Sequence, residues 1–423
     1  MTNASKPRIA AYGFVDRDAG SVASANFLIL EEFLRRGIEV DFYAIAGFIE
    51  PRELIGRSGF RYVPVEVPPV KRIWRFLEND FPARLRGVAS SAFSQVSNLI
   101  YEQAIGDRVN RDHGDDPFDF FLTMGGLSPF ATPGLLNIGW PQGPPNGEWD
   151  AIRSQRKRVI ELAGRAHFAM LRAGYVHKRI LNRLQLPAND LVLCGSEWSR
   201  GVWVEFGARP EAVVPLPYPY DLERFRPVRP PGRGRQTTYL ALGRIVPRKR
   251  IDLLIEAFRQ LHAKQPDTKL IIIGRFAYAA GFESLLGGLG PDSGIEYRPS
   301  IDRALVPDLL SEVDVVVQPS EMENLGSAVI EGLACGRPVI VGPTNGTRDY
   351  VSESSIVMDA YDVDALTRAM EMMRERVRSE PERVMTEARA AAERHVEPVR
   401  VVDRLLDLAE RARSGVARGL PAR

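Results

Sequence analysis

The stretch from Val313 to Val341 restricts the fold more than any other part of the chain. A valine-rich run over 313–317 stops at Pro319-Ser320, as a buried strand would. Ser327 to Cys335 is apolar at helical spacing and closes on Gly336, and Val339-Ile340-Val341 reads as the next strand. Two carboxylates bracket the turn, Glu323 before the helix and Glu331 inside it. On one continuous helix they would stand about 12 Å apart and about 80° round the axis from each other. Glu323 therefore belongs in the loop at the strand's carboxyl end, where doubly wound sheets bind ligands.

The same alternation runs through the rest of the chain. Strand 9–12, helix 22–36 with Gly37 as its stop, and strand 38–45 form an opening β-α-β unit. The loop between, Gly13 to Ser21, has glycine only at 13 and 20 and lacks G-x-G-x-x-G. That removes the fingerprint an NAD-dependent oxidoreductase would carry there. Further strands are expected over 60–67, 118–124 and 190–195, with one helical stretch from Arg153 to Lys178. Pro141 to Gly147 is too rich in Pro and Gly for regular structure, and long loops of that kind are often functional. Arg226 to Arg235 (R-P-V-R-P-P-G-R-G-R) reads as a linker. After it come strands 238–242, 269–273 and 295–297, helices 252–264 and 306–312, and a final amphipathic helix over 400–413. The expected division is a first α/β domain over 1–225, a linker over 226–235, a second over 236–397 and a terminal segment over 398–423. Both domains are expected to be doubly wound, facing each other across a cleft.

With 423 residues, two cores are the natural expectation. Fifty-six basic and 54 acidic residues leave a net charge of +2, too balanced for a nucleic-acid binder. Cys194 and Cys335 lie in apolar surroundings without metal-ligand spacing and read as buried thiols of a reducing compartment. A polar start that runs straight into a strand leaves no room for a signal peptide, and no apolar run approaches the ~18 residues of a membrane span. A cytoplasmic location is expected.

Arg244 and Lys249 flank the loop after the first strand of the second domain, where two cations could meet a departing diphosphate. Leu325, Gly326 and Ser327 would offer backbone N–H groups at a helix start, a seat for an anion. Glu331 sits among Val329, Ile330, Leu333 and Ala334, and a carboxylate so placed needs donors, which ribose hydroxyls could supply. An acid in the loop, an amide nest and a second acid further along would suit a sugar nucleotide. Lys71 to Arg86 interleaves five basic residues with Ile73, Trp74, Phe76, Leu77, Phe81 and Leu85. That pattern fits either a contact with anionic lipid or an inward-packed helix with a basic edge. The five histidines show no metal-ligand spacing, so no metal site is expected. Asn345-Gly346-Thr347, at a strand end, could touch substrate.

Together these residues resemble glycosyltransferase family 4, the retaining GT-B enzymes. Gly243-Arg244 through Lys249 to Phe258 is similar to the family's phosphate loop. Glu323 and Glu331 fit its E-x7-E motif, followed by Gly332-Leu-Ala-Cys-Gly-Arg-Pro-Val-Ile340. Val213 to Pro227 resembles the stretch before the family's linker. The resemblance implies a GT-B fold and a hexosyl group moved from a nucleotide diphosphate sugar, UDP- or GDP-linked, to a saccharide, lipid-linked or small-molecule acceptor. Retention at the anomeric carbon, and work without a metal or other cofactor, come with it.

Residue by residue, it implies that Arg244 and Lys249 grip the diphosphate, Glu331 holds the ribose and Glu323 faces the sugar. Gly243, Asn324, Leu325 and Gly326 would line the phosphate seat, and Gly20 would approach the donor from the first domain. The final helix would cross back onto that domain. Lys71–Arg86 would place the protein on the inner face of a membrane for a lipid-linked acceptor. The sequence departs from the pattern at Arg248 and Arg250, where an acid and a glycine are common, at Asn324 in place of glycine, at Ala19-Gly20 and at Gln142. A non-catalytic GT-B module that binds a sugar nucleotide or a partner is the competing reading.

Overall fold

In a computed structural model of the chain, the residues described are 7–47, 50–67, 70, 72–73, 76, 83–146, 148–277, 282–287, 289 and 293–416. Two sheets organise them. The first holds β1 (Arg8–Gly13), β2 (Glu39–Ile45), β3 (Phe60–Val65), β4 (Phe120–Gly125), β5 (Leu136–Pro141), β6 (Leu191–Cys194) and β7 (Val213–Pro215), in the order β3-β2-β1-β4-β5-β6-β7. The second holds β8 (Thr237–Leu242), β9 (Thr268–Ile273), β10 (Ile295–Arg298), β11 (Val315–Gln318), β12 (Val339–Val341) and β13 (Ile356–Val357), in the order β10-β9-β8-β11-β12-β13. All the described pairings are parallel. Strand order reverses beside β1 in one sheet and beside β8 in the other, and such reversals open crevices at the strands' carboxyl ends. The two crevices face each other, which is the GT-B arrangement.

The helices are α1 (Ser21–Arg35), α2 (Ala83–Asp115), α3 (Trp149–Ser154), α4 (Arg156–Ala163), α5 (Arg165–Gln185) and α6 (Glu197–Phe206) in the first half. The second half adds α7 (Ile251–Lys264), α8 (Val306–Glu312), α9 (Ser327–Ala334), α10 (Val363–Ser379), α11 (Pro381–Val396) and α12 (Pro398–Val416). Parallel strands covered on both faces read as continuous apolar runs, and β4, β5, β6, β11 and β12 are buried almost throughout. Trp140, Phe27, Phe33 and Phe42 fill the first core, and Tyr239 and Phe258 the second, each buried side chain contributing about 1.5–3 kcal/mol.

The one helix expected from Arg153 to Lys178 is three. Gln155 separates α3 from α4, and Gly164, at φ 87°, turns the chain between α4 and α5. Only a residue without Cβ adopts that conformation at low cost. The linker stretch is packed down rather than free. Arg229 donates to the carbonyl oxygens of Ser311 and Glu312 (2.9 and 3.0 Å) and Gly232 N–H to Asp314 (2.6 Å). α12 crosses to the first domain, where Arg36 pairs with Asp403 at 2.6 Å and Asp119 with Arg413 at 2.5 Å. Of the basic segment 71–86, Lys71, Trp74, Arg75 and 77–82 lie outside the described residues, while Ile73 and Phe76 are exposed.

Candidate active site

A cleft of about 1160 Å³ lies between the sheets, walled by the loops after β1, β4 and β5 on one side and after β8 and β11 on the other. That exceeds the roughly 300–1,000 Å³ of a single-ligand pocket and leaves room for two substrates.

The second domain's wall is built by two loops tied back to back. After β8 the chain passes Gly243 and Arg244 into a 3-10 turn, Pro247–Lys249, and then takes the left-handed conformation at Arg250 (φ 52°) before α7 begins. After β11 it runs from Pro319 to Gly326, with Met322 also left-handed (φ 53°), and α9 begins at Ser327. The N–H of Glu321 bonds the carbonyl oxygen of Arg248 at 2.8 Å, which fixes the two loops together.

Each cation of the R-K-R run then meets an acid of the facing loop. Lys249 Nζ stands 2.5 Å from Glu323 Oε2, and Arg248 pairs with the same oxygen. Gln318 Nε2 donates to it as well, at 3.0 Å. Arg250 pairs with Glu321. Burial alone would raise the Glu323 pKa, but the two cations bring it down to about 2. Burial likewise lowers the Lys249 pKa, opposed by Glu323. The carboxylate is thus ionised at any working pH. What its charge contributes to stability is present above pH 4.5 and is lost as pH falls from there towards 2.

Arg248 also reaches across the cleft, its Nε 2.9 Å from Glu148 of the first domain. Ser154 donates to Glu321 at 3.0 Å, and Gln155 Nε2 to the Pro247 carbonyl oxygen at 3.1 Å. Asn324 accepts the Gly195 N–H at 3.0 Å. Asn324 thus ties the domains together through its Oδ1 while it also lines the cleft. Gly326 is a correction. Its N–H donates to Thr347 Oγ1 at 2.6 Å, so this amide is already occupied and is not free for an anion. Asn345 and Thr347 are fully buried behind the loop and brace it from the back rather than meet substrate.

Glu331 is 1% exposed yet lines the cleft, with Arg303 at 2.5 Å. Burial raises its pKa against the pull of Arg303, whose guanidinium also lies 5.1 Å above the Phe225 ring. Arg244 is exposed on the cleft wall, Gly243 beside it, and Leu325 lies on the same wall. Gly20 caps α1 across the gap, with open space where a Cβ would stand. Arg303→Ala would strand the Glu331 carboxylate in the interior. A stability loss of about 3 kcal/mol in urea unfolding is expected, and Glu331→Gln in the same chain should recover part of it. Equal stability of Arg303→Ala and wild type would show that the pair contributes nothing.

The first domain's wall adds Glu102, which nothing in its sequence context marked. Burial pushes its pKa up to about 7, opposed by the Gln185 amide at 3.1 Å. Between pH 4.5 and 7 the native protein holds a proton there that the unfolded chain has released, so stability from this group falls as pH rises through that window. An inflection near pH 7 in ligand binding to this side of the cleft is expected, and Glu102→Gln should flatten it. A profile unchanged by that substitution would place Glu102 outside ligand binding.

Residues 227–390 match the family model described as Glycosyl transferases group 1. Over 341 residues the chain is 30% identical to a GDP-mannose-dependent alpha-(1-6)-phosphatidylinositol monomannoside mannosyltransferase of Mycolicibacterium smegmatis, covering 69% of this chain and 86% of that protein. The chain belongs to glycosyltransferase family 4. A second member, a D-inositol 3-phosphate glycosyltransferase of Kineococcus radiotolerans, is 28% identical over 357 residues, 78% of this chain and 75% of that one. The fold matches solved structures along nearly the whole chain. A sucrose-phosphate synthase of Thermosynechococcus elongatus superposes at TM-score 0.66 with 16% identity, covering 97% of this chain and 100% of its own. An Anabaena HepE structure with UDP and glucose gives 0.60 with 13% identity, covering 96% and 99%. This family 4 protein is accordingly a nucleotide-sugar-dependent glycosyltransferase, and the non-catalytic alternative finds no support.

Proposed function

We propose that this glycosyltransferase moves a hexosyl group, with retention and without a metal, from a nucleotide diphosphate sugar to a lipid-linked polyol or glycan. The observation that carries the proposal is the single buried cluster of Arg248, Lys249 and Glu323 facing the cleft, with Glu331 and Arg244 lining the same wall. Arg244 and Lys249 would bind the diphosphate and stabilise the charge that develops as the glycosyl bond breaks, work a metal does elsewhere. Glu331 would accept hydrogen bonds from ribose hydroxyls, and Leu325 would offer its amide to phosphate. Gly243 and Gly20 would let the donor approach the backbone.

Glu323 is held ionised by two cations, which makes it a poor base and a good partner for positive charge on the sugar. The incoming hydroxyl would then give its proton to the departing phosphate oxygen. As the anomeric carbon–phosphate oxygen bond breaks, the new carbon–oxygen bond forms on the same side, and the nucleoside diphosphate leaves with that proton. Attack from the leaving group's own side is retention.

The mannosyltransferase names among the relatives make GDP-mannose the first donor to try, with phosphatidylinositol mannosides as acceptors. The segment 71–86 remains a candidate membrane contact. No helix among the described residues is long and apolar enough to cross a membrane. The test is transfer in chelator-treated buffer, with the product's anomeric configuration read by NMR. An α-linked product from an α-linked donor is expected; a β-linked product, or transfer that depends on added metal, would refute the mechanism.

A further inference from the structure

α5 divides lengthwise into three strips. Tyr175, Lys178, Asn182 and Gln185 line the cleft, while Phe168, Leu171 and Tyr175 pack in a cluster that includes Trp149. At 100° per residue the opposite side carries Met170, Ala173, Val176, Ile180 and Leu184. That side is bare: Met170 is 62%, Ile180 53% and Leu184 71% exposed. Along one border of this apolar strip run Arg165, Arg172, Arg179 and Arg183, all exposed, the last two lying over the Phe206 ring at 5.9 and 5.5 Å. The helix contains no Asp or Glu.

We propose that this face of α5 docks the protein on an anionic lipid bilayer. Its apolar strip would enter the boundary between headgroups and acyl chains, and its arginine row would meet lipid phosphates. An interfacial helix needs this separation of a basic border from an apolar face, and about 31 Å of helix lying flat provides it. Contiguous apolar exposure on a globular surface marks a contact site. Charge decides the occupant. A second copy of the chain would bring the same arginine rows to the contact, with no acid on either helix to meet them. An anionic surface strengthens binding about fivefold for each arginine held within a Debye length of it. Because the other side of the helix lines the first domain's half of the cleft, docking sets that half beside the headgroups. The proposal concerns a surface other than segment 71–86 and stands independently of the transfer mechanism above.

The test is co-sedimentation of the full chain with vesicles of phosphatidylcholine alone and with phosphatidylglycerol added at about 2:1. Wild type is expected to pellet with the mixed vesicles and not with the neutral ones. Two variants, Ile180→Asp with Leu184→Asp and Arg165→Glu with Arg172→Glu, should each weaken partitioning more than about tenfold. Cooperative thermal melting would show that both remain folded. Wild type left in the supernatant would overturn the proposal, as would pelleting that both variants retain. So would a concentration-dependent dimer that the Asp pair abolishes, because it would assign the strip to a second copy.

Discussion

Glu323→Gln is expected to lower kcat by about 10²–10³-fold while leaving nucleoside diphosphate affinity unchanged or tighter. The opposite signs follow from the geometry. The Glu323 carboxylate pairs with both Arg248 and Lys249. Replacing its charge with an amide of the same shape leaves those cations for the donor's phosphates, so binding does not suffer. Turnover would suffer, because in the proposed reading no negative charge would then face the sugar as positive charge develops on it. Steady-state kinetics with a parallel calorimetric titration checks both halves. Loss of affinity with kcat preserved would mean that Glu323 binds substrate and does nothing more.

Lys249→Ala should lower kcat by a similar 10²–10³-fold but weaken nucleotide binding too, since in the proposed reading the lost cation would meet the diphosphate in both the ground state and the transition state. The variant also leaves Glu323 with Arg248 as its cation partner, so urea unfolding belongs beside the kinetics. A destabilisation below the ~3–5 kcal/mol of a buried carboxylate stripped of all partners is expected, because Arg248 and Gln318 still hold the carboxylate. Full activity in a folded Lys249→Ala protein would remove lysine from the reaction. Together the two substitutions separate binding from catalysis: one is expected to lower kcat without loss of affinity, the other to lower kcat and affinity together.

Local chemistry made the second domain legible. The strand, turn and helix from Val313 to Cys335 are written in consecutive residues, and α9 spans Ser327–Ala334, within one residue of expectation. Placing Glu323 in the loop rather than on the helix needed only helical geometry. What stayed hidden depends on partners distant in the chain. Glu148 lies 100 residues from Arg248, and nothing in P-P-N-G-E announces an ion pair across the cleft. Arg303 follows an unremarkable loop, and nothing in it announces a donor to the buried Glu331. Glu102 has its raised pKa from burial, which emerges only when α2 and α5 meet. Arg250 shows why glycine suits its position, since its backbone is left-handed. The Gly326 amide was expected to be free because helix starts usually leave such groups unpaired, but Thr347 arrives from another turn and takes it.

The most direct measurement is a crystal structure with a nucleoside diphosphate in the cleft. Diphosphate oxygens about 3 Å from Lys249 Nζ and the Arg244 guanidinium, with ribose hydroxyls on Glu331, are expected. A nucleotide seated elsewhere, with Lys249 still turned onto Glu323 and Glu331 touching only Arg303, would contradict the assignment of this cluster to the donor.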